Sequence, residues 1–255
     1  MTRPVDLLDD DEVRRRIAAV PNWYHPITFR PGLTTPAVTA ADLTLACLDL
    51  PADCRGLRAL DIGARDGYFT FELERRGATV VALDYFADTE TGFRTAADLL
   101  GSPAEFVHAN VYDITTERFG HFDIVLCLGV LYHLPDPLEA LHRIRAVSRG
   151  RLCLESYVID DALPLADGAT QPLAALSPLL ADVPLMRFFP GRSLNDDATN
   201  YWGPNLACLE ALLTEALFTP TSRHQLGQRG VVNAVVAEDE ETASFNEMAR
   251  GLRRV

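Results

Sequence analysis

The chain of 255 residues contains no lysine: all 23 basic residues are arginine, set against 36 acidic ones for a formal net charge of −13. That absence excludes chemistry built on an amine nucleophile, and it excludes a Walker-type phosphate loop, whose lysine reaches the nucleotide phosphates. The shortage of positive charge makes a phosphate backbone a disfavoured partner. The run Arg14, Arg15, Arg16 is a charged helix face too small for a nucleic-acid footprint. No apolar run approaches the ~18 residues of a membrane span. Asp6, Asp9, Asp10, Asp11 and Glu12 near the start are the wrong charge for a signal or transit peptide. The five cysteines, Cys47, Cys54, Cys127, Cys153 and Cys208, are odd in number and contain no C-x-x-C pair. We therefore expect reduced core thiols in a cytoplasmic protein.

What remains is ordinary globular composition, 48% apolar and 23% charged, at a length that suits one large α/β domain with a sizeable core. Residues 9–20 predict a short helix, with acids in the first turn, apolar Val13, Ile17 and Val20, and a stop at Pro21. The stretch PNWYHPITFRPGLTTP that follows is too rich in proline for long regular structure, yet Trp23, Tyr24, Ile27 and Phe29 call for burial. We expect it to lie against the rest as a lid, followed by a helix over 39–49. From residue 57 strand and helix signals alternate. Strands are expected at 57–62, 79–83, 105–109, 122–128 and 151–157, and helices at 69–76, 92–100 and 137–147. Such alternation means a mostly parallel sheet with helices on both faces, the doubly wound α/β architecture. The pattern pauses over 160–204, a length that inside a compact domain is usually functional, and we assign that stretch as a cap. It resumes with a helix from an Asn205 N-cap to Phe218 and two late strands near 221–227 and 231–237. The expected organisation is a helical lid segment over 1–50 and a main domain over 51–255 that carries the cap insertion.

The most informative stretch is Asp61-Ile62-Gly63-Ala64-Arg65-Asp66-Gly67-Tyr68, a strand entering a glycine turn that opens a helix. This is where a ligand can rest on backbone amides. A dinucleotide fingerprint counted from Gly63 would need glycine at the places held by Arg65 and Tyr68, so a nicotinamide dinucleotide is the remote option. Asp61 also sets negative charge where a pyrophosphate would be repelled, whereas a ligand bearing an amine and a sulfonium would tolerate it. The second strand ends in Asp84, twenty-one residues after Gly63, the spacing of an acid that accepts both ribose hydroxyls. A helix N-cap is the plainer role for the same residue. Tyr85 and Phe86 follow beside the sugar and base. Asn110, Val111 and Tyr112 at the third strand's end offer a polar and an apolar surface to an adenine.

In combination, D-I-G-x-R-x-G, the acid after the second strand and FDIVLCLGVLYHLPDPLEAL resemble the motifs of class I S-adenosylmethionine-dependent methyltransferases. The run GVLYHLPDPLEAL with LESYVID is similar to the bacterial tRNA wobble-uridine carboxymethyltransferase family and its small-molecule relatives, as are WYHPI and the MRFFPG…NYWGPN segment. The resemblance implies a Rossmann-like fold with a mostly parallel seven-stranded sheet, and S-adenosylmethionine as cofactor. It implies donor contacts from Gly63, Gly67, Asp84, Tyr85, Asn110, Val111, Tyr112, Leu128 and Tyr132, with Asp61 and Arg65 beside the methionyl part. Tyr132 near the sulfonium would supply cation–π stabilisation. Carboxymethyl-transferring relatives hold an extra donor carboxylate with a lysine, a tyrosine and an arginine. Tyr132 and Arg229 match two of these. The lysine is absent, so plain S-adenosylmethionine is the expected donor.

Methyl transfer to a hydroxyl or amine needs a proton acceptor. His133, after the fourth strand, is the first candidate and His25 in the lid the second; a packed structural histidine is the alternative role for each. Trp23, Tyr201, Trp202 and Arg229 are the candidate acceptor contacts, and Asn200 and Asn205 extend the aromatic and amide cluster. A helix cap with a hydrophobic staple explains that cluster equally well. Asp160, Asp161, Asp196 and Asp197 with His133 have the composition of a magnesium site, but paired acids in loops are mostly solvated turns, and no metal is assigned. The expected activity is methylation, preferably at oxygen, of a small-molecule acceptor such as a specialised metabolite or sugar. Alternatives are a tRNA wobble-uridine methyl- or carboxymethyltransferase and a donor-binding protein without transfer. The sequence leaves room for a homodimer.

Overall fold

A computed structural model of the chain describes residues 8–165 and 167–237. Seven strands form the central sheet: β1 (Arg58–Ile62), β2 (Thr79–Asp84), β3 (Glu105–His108), β4 (Phe122–Leu128), β5 (Ser148–Tyr157), β6 (Phe218–Leu226) and β7 (Arg229–Val236). Their order across the sheet is β6-β7-β5-β4-β1-β2-β3. β1 through β5 run parallel, and β7 is antiparallel to both β5 and β6. The sheet is apolar on both faces because helices cover both. Alternate residues of β1 and β4 divide between two cores. Leu60, Ile62, Val125 and Cys127 pack with Leu141 and Ile144 of α6 (Pro137–Val147) and Leu209 of α8 (Leu206–Glu215). Ala59, Ile124 and Leu126 face Ala41 of α2 (Ala41–Cys47) and Phe69 and Leu73 of α3 (Tyr68–Arg75). Each fully buried aliphatic side chain contributes about 1.5–3 kcal/mol, so the two cores define the sheet's register on both sides. Four of the five cysteines are buried and all are free thiols.

Two shorter helices, α5 (Thr116–Phe119) and α7 (Leu173–Leu176), complete the set, and local chemistry sets the helix ends. Asp136 caps α6 by accepting from Glu139 N at 3.0 Å, with Pro137 as first residue, and Asn205 caps α8 from Cys208 N at 2.9 Å. The expected boundaries hold closely except at β5, which begins at Ser148 rather than 151, and at α8. That helix ends at Glu215 rather than Phe218, so that β6 begins at Phe218 rather than near 221. A glycine hides the extension of β5: a Cβ on Gly150 would stand 2.4 Å from the Asp123 carbonyl oxygen, in the irregular register between β4 and β5.

The lid segment is better ordered than its prolines suggest. Thr28–Arg30 and Leu33–Thr34 form a small antiparallel ribbon. Trp23, Ile27, Phe29 and Leu33 bury themselves against Val13 and Ile17 of α1 (Asp10–Ala19) and against Ala96 and Leu99 of α4 (Phe93–Leu100). Trp23 thereby departs from its expected role as an acceptor contact. Its indole Nε1 donates to the Ile17 carbonyl at 2.9 Å, and its ring fills the space over Gly92. From the insertion over 160–204, Leu173, Phe189 and Leu194 pack with Tyr132, Tyr157 and Ile159 of the main domain in a small core. Among the described residues, no helix is long and apolar enough to cross a membrane.

A Cβ on Gly92 would lie 2.2 Å from the Trp23 ring. Gly92→Ala should therefore destabilise the fold by about 1–3 kcal/mol, as overpacked cores do, and loosen the lid. Urea unfolding with Trp23 fluorescence measures both effects. A change below about 0.5 kcal/mol would mean that the lid is not held at this point.

Candidate active site

β1 is flanked by β2 on one side and β4 on the other, so successive crossovers leave it in opposite directions and open a crevice at the strands' C-terminal ends. A cavity of about 510 Å³ lies there, walled by the loops after β1, β2, β3 and β4, by the lid and by the cap.

The turn after β1 is shaped by backbone conformation. Gly63 has φ +77°, and a Cβ on it would collide with Val130 at 2.3 Å. Arg65 holds a left-handed φ of 54° without being glycine. Three contacts stabilise it there: its N–H donates to Asp84 Oδ2 at 2.8 Å, and its guanidinium lies 4.8 Å from the centre of the Phe86 ring and 6.0 Å from that of Tyr24. Asp84 also accepts from Phe86 N at 2.9 Å, and burial raises its carboxyl pKa despite these bonds. Asp66, absent from the sequence-based set, is fully buried. Its Oδ2 accepts from Tyr24 N at 2.6 Å and His25 N at 3.0 Å, and its Oδ1 accepts from Gly92 N at 2.9 Å. One carboxylate thus ties the glycine turn to the lid.

Of the residues expected around the donor, Gly63, Arg65, Asp84 and Tyr85 line the cavity on one side. Asn110, Val111, Tyr112, Leu128 and Tyr132 line it from β3 and β4. Asn110 spends its side-chain oxygen on Tyr112 N at 3.1 Å, and Tyr112 is anchored through its hydroxyl to Asp136. Two expected contacts lie elsewhere. Asp61 is buried beneath the turn, accepting from Thr70 Oγ1 at 2.7 Å, and burial pushes its carboxyl pKa up to about 6, with Asp84 adding to the rise. Gly67 has φ +93° and precedes α3, with Phe71 where a side chain would be.

The aromatic cluster ahead of α8 makes structural contacts. Tyr201 N donates to the Tyr132 carbonyl at 2.9 Å, and Trp202 Nε1 donates to the Pro135 carbonyl at 3.3 Å while its ring meets Phe188. Neither side chain lines the cavity. Asn200 and Asn205 bond to backbone carbonyls within the insertion. The paired acids do not converge. Asp160 accepts from Leu206 N at 3.0 Å, and Asp197 accepts from Thr199 at the cavity wall. Among the described residues no three His, Cys, Asp or Glu side chains group to hold a metal.

A second cavity of about 310 Å³ adjoins the first and shares Tyr24, His25, Phe69, Leu128 and Gly129 with it. Its other walls are α2 and the facing ends of β5 and β7, where Glu155 pairs with Arg229 through two hydrogen bonds, the Nη2–Oε2 one at 2.5 Å. Arg229 Nη1 also donates to the Tyr132 hydroxyl at 3.1 Å. Burial works against the charge of Arg229, but Glu155 and Tyr132 outweigh it and raise its pKa. The two candidate bases differ in placement. His133 lines only the first cavity, with Nδ1 2.9 Å from Thr199 Oγ1, and burial lowers its pKa. His25 stands at the junction of both cavities, boxed by the rings of Tyr24, Tyr68 and Phe69. Burial holds its pKa down to about 4 against the opposing pull of Asp66. Its Nδ1 has no hydrogen-bond partner among the described residues.

A family model described as a methyltransferase domain matches residues 37–201. The chain belongs to this family. Its fold and motifs are those of the class I S-adenosylmethionine-dependent methyltransferases. It is 31% identical over 113 residues to the tRNA U34 carboxymethyltransferase of Helicobacter pylori strain G27, covering 42% of each chain. It is 29% identical over 92 residues to the ubiquinone biosynthesis O-methyltransferase of Vibrio parahaemolyticus, 36% of this chain and 39% of that one. The match thus spans about two-fifths of the length of these curated relatives. Among solved structures, the N-terminal domain of EvdMO1 with S-adenosylhomocysteine bound superposes with a TM-score of 0.61 at 21% identity, over 92% of this chain and 99% of that one. The Burkholderia thailandensis 1,6-didemethyltoxoflavin-N1-methyltransferase gives 0.52 at 21% identity, over 90% and 80%.

The first cavity fits S-adenosylmethionine by its own chemistry. Asp84 presents a buried acceptor at its wall, Val111 and Leu128 give apolar surface, and Tyr132 gives an aromatic face. Asp84→Ala should weaken S-adenosylhomocysteine binding by at least about tenfold in calorimetry, since both a ligand acceptor and the anchor of Arg65 N are lost. Unchanged affinity would remove Asp84 from the donor site.

Proposed function

We propose that this protein is an S-adenosylmethionine-dependent methyltransferase that methylates a hydroxyl of a small molecule, with the donor in the larger cavity and His25 as the proton acceptor. The observation that carries this reading is the pair of adjoining cavities with His25 at their junction. When bound, S-adenosylmethionine supplies a methyl group activated by a positive sulfur. The chain's residues have three remaining tasks: to hold the donor, to place the acceptor in line within about 3–3.5 Å, and to take a proton.

Donor contacts fall to Asp84, with Tyr85 and Val111 flanking the base and Arg65 beside the carboxylate end. Tyr132, which lines the cavity, is fixed by Arg229, through its hydroxyl and over its ring, and by the rings of His133 and Tyr157. Its ring favours a sulfonium over water. Burial holds the His25 pKa down to about 4, so the ring is neutral near pH 7 and keeps a lone pair, though a weakly basic one. His133 lines the first cavity but not the second, which makes it the poorer candidate.

Small-molecule acceptors are supported by the dimensions of the cavities, which fall within the range of ligand pockets. The names of the relatives point the same way, with ubiquinone biosynthesis and a toxoflavin precursor among them. The carboxylated donor and tRNA of the other relatives find less support. The chain has no lysine, and Glu155 already occupies the arginine that such a carboxylate would need.

With any acceptor that turns over, His25→Gln should lower kcat by about 10²–10⁴-fold and leave S-adenosylhomocysteine affinity unchanged; His133→Ala should leave kcat unchanged. The reverse pattern would transfer the role to His133. An NMR titration of His25 should show a midpoint near 4, below that of an ordinary histidine. As pH falls, the unfolded chain takes up this proton first. His25 therefore contributes its full stability above about pH 6.5 and loses it progressively down to about 4. His25→Gln should accordingly flatten the loss of stability across that window, measured by urea unfolding. An unaltered slope would show that His25 is not buried as a neutral group.

A further inference from the structure

We propose that the second cavity is the acceptor chamber and that the Glu155–Arg229 pair in its wall selects an uncharged, hydroxylated acceptor. This rests on the methyltransferase reading and adds to it a location and a substrate class.

The two cavities meet at Leu128 and Gly129, so a molecule seated in the second abuts a donor seated in the first. Polar and apolar residues both line the second cavity. Glu155, Arg229 and Thr44 supply polar groups, and Leu43, Phe69 and Leu226 the apolar surface. The Glu155 side chain is only 5% exposed and that of Arg229 32%, so the pair is largely withdrawn from water yet still faces the cavity.

Gly129 is what keeps the pair uncovered. It sits at φ +73°, and a Cβ there would lie 3.3 Å from Arg229 Nη2 and 3.7 Å from Glu155 Oε2. A side chain at this position would lie over the pair and close it to a ligand.

The charge of the pair decides the ligand class. Glu155 and Arg229 neutralise each other through two parallel hydrogen bonds. A carboxylated acceptor could reach the guanidinium only by displacing Glu155 or by lying against its oxygens. An ammonium would meet the charge of Arg229 in the same way. Removing a partner from a largely buried pair is costly, so neither exchange is favourable. A hydroxyl donates to the carboxylate and accepts from the guanidinium, and it uses both without separating them. The apolar residues then suit the ring carbons that carry the hydroxyl. Selection is by repulsion of charged competitors as much as by attraction.

The test uses two ring scaffolds, each in neutral, anionic and cationic form: methyl galactopyranoside, galacturonate and galactosamine; catechol, protocatechuate and dopamine. Binding is read by ligand-observed NMR with the protein saturated by S-adenosylhomocysteine. In the wild-type protein the neutral member of at least one series should bind about tenfold or more tighter than both charged members. Leu43→Trp, at the exposed rim of the cavity, should weaken that binding at least about tenfold and leave S-adenosylhomocysteine affinity unchanged. Glu155→Gln, which leaves Arg229 without its counter-charge, should move the preference toward the carboxylate. A charged member binding as tightly as the neutral one, no member binding in either series, or binding indifferent to Leu43→Trp would overturn the proposal. The wild-type and Leu43→Trp results decide it even if Glu155→Gln fails to fold. Failure of S-adenosylhomocysteine itself to bind would instead sink the methyltransferase reading.

Discussion

A single buried carboxylate holds the two halves of the site together. Asp66 accepts hydrogen bonds from three backbone amides, two in the lid and one ahead of α4. Burying a charge without compensation is costly, and charge-assisted bonds from otherwise unpaired amides are what offset it. The lid has no long regular structure to hold its own amides, so both sides of the arrangement need the other. The result is geometric. The glycine turn beside the donor cavity and the residues that roof it, Tyr24 and His25, are positioned by the same side chain. A shift of the lid therefore moves His25 relative to Asp84, and the distance between the two is set by the fold rather than by a loose loop.

The same economy of charge runs through the rest of the site and gives the lysine-free composition a structural meaning. Arg65 reaches the lid by stacking on Phe86 and Tyr24, and Arg229 grips Glu155 by a two-point contact while still bonding Tyr132. A planar guanidinium can do both; an ammonium, with a compact and strongly hydrated charge, matches neither geometry. Glu155 in turn lies at the end of a buried strand, where an unpaired carboxylate would be destabilising. The arginine is thus consumed structurally. What the pair presents to the second cavity is a dipolar, hydrogen-bonding surface of no net charge.

The strands and most helices were legible in the sequence because burial on both faces of a parallel sheet writes continuous apolar runs, and caps such as Asp136 and Asn205 are local signals. Asp84 was legible for the same reason, as an acid at a strand end following a glycine turn. What could not be read was pairing across distance. Asp66 looks like any turn residue until Tyr24 and His25 come to rest on it, and nothing near Glu155 in the chain announces Arg229. One signal was available: an acid inside the apolar run RLCLESYVI must find a partner if it is buried. The aromatic residues misled in the opposite direction. Trp23 and Trp202 suggest ligand surface by residue type, but each donates its indole N–H to a backbone carbonyl and serves as structure.

These pairings fall unevenly along the chain, with a consequence for what the family relationship can determine. The methyltransferase-domain match runs from 37 to 201 and takes in the glycine turn, Asp84, Val111 and Tyr132. His25 lies before it and Arg229 after it. The donor cavity is therefore built almost wholly from the shared segment. The second cavity is closed by the chain's own lid and by the final β6–β7 hairpin, which supplies Leu226 and Arg229. Family membership can then fix the walls of the first cavity while leaving the second freer to differ, because Tyr24, His25, Leu226 and Arg229 in its wall lie outside the matched segment. Substrate identity has to be argued from Glu155, Arg229, Gly129 and His25 themselves, through the charge they cancel and the hydrogen bonds they leave open.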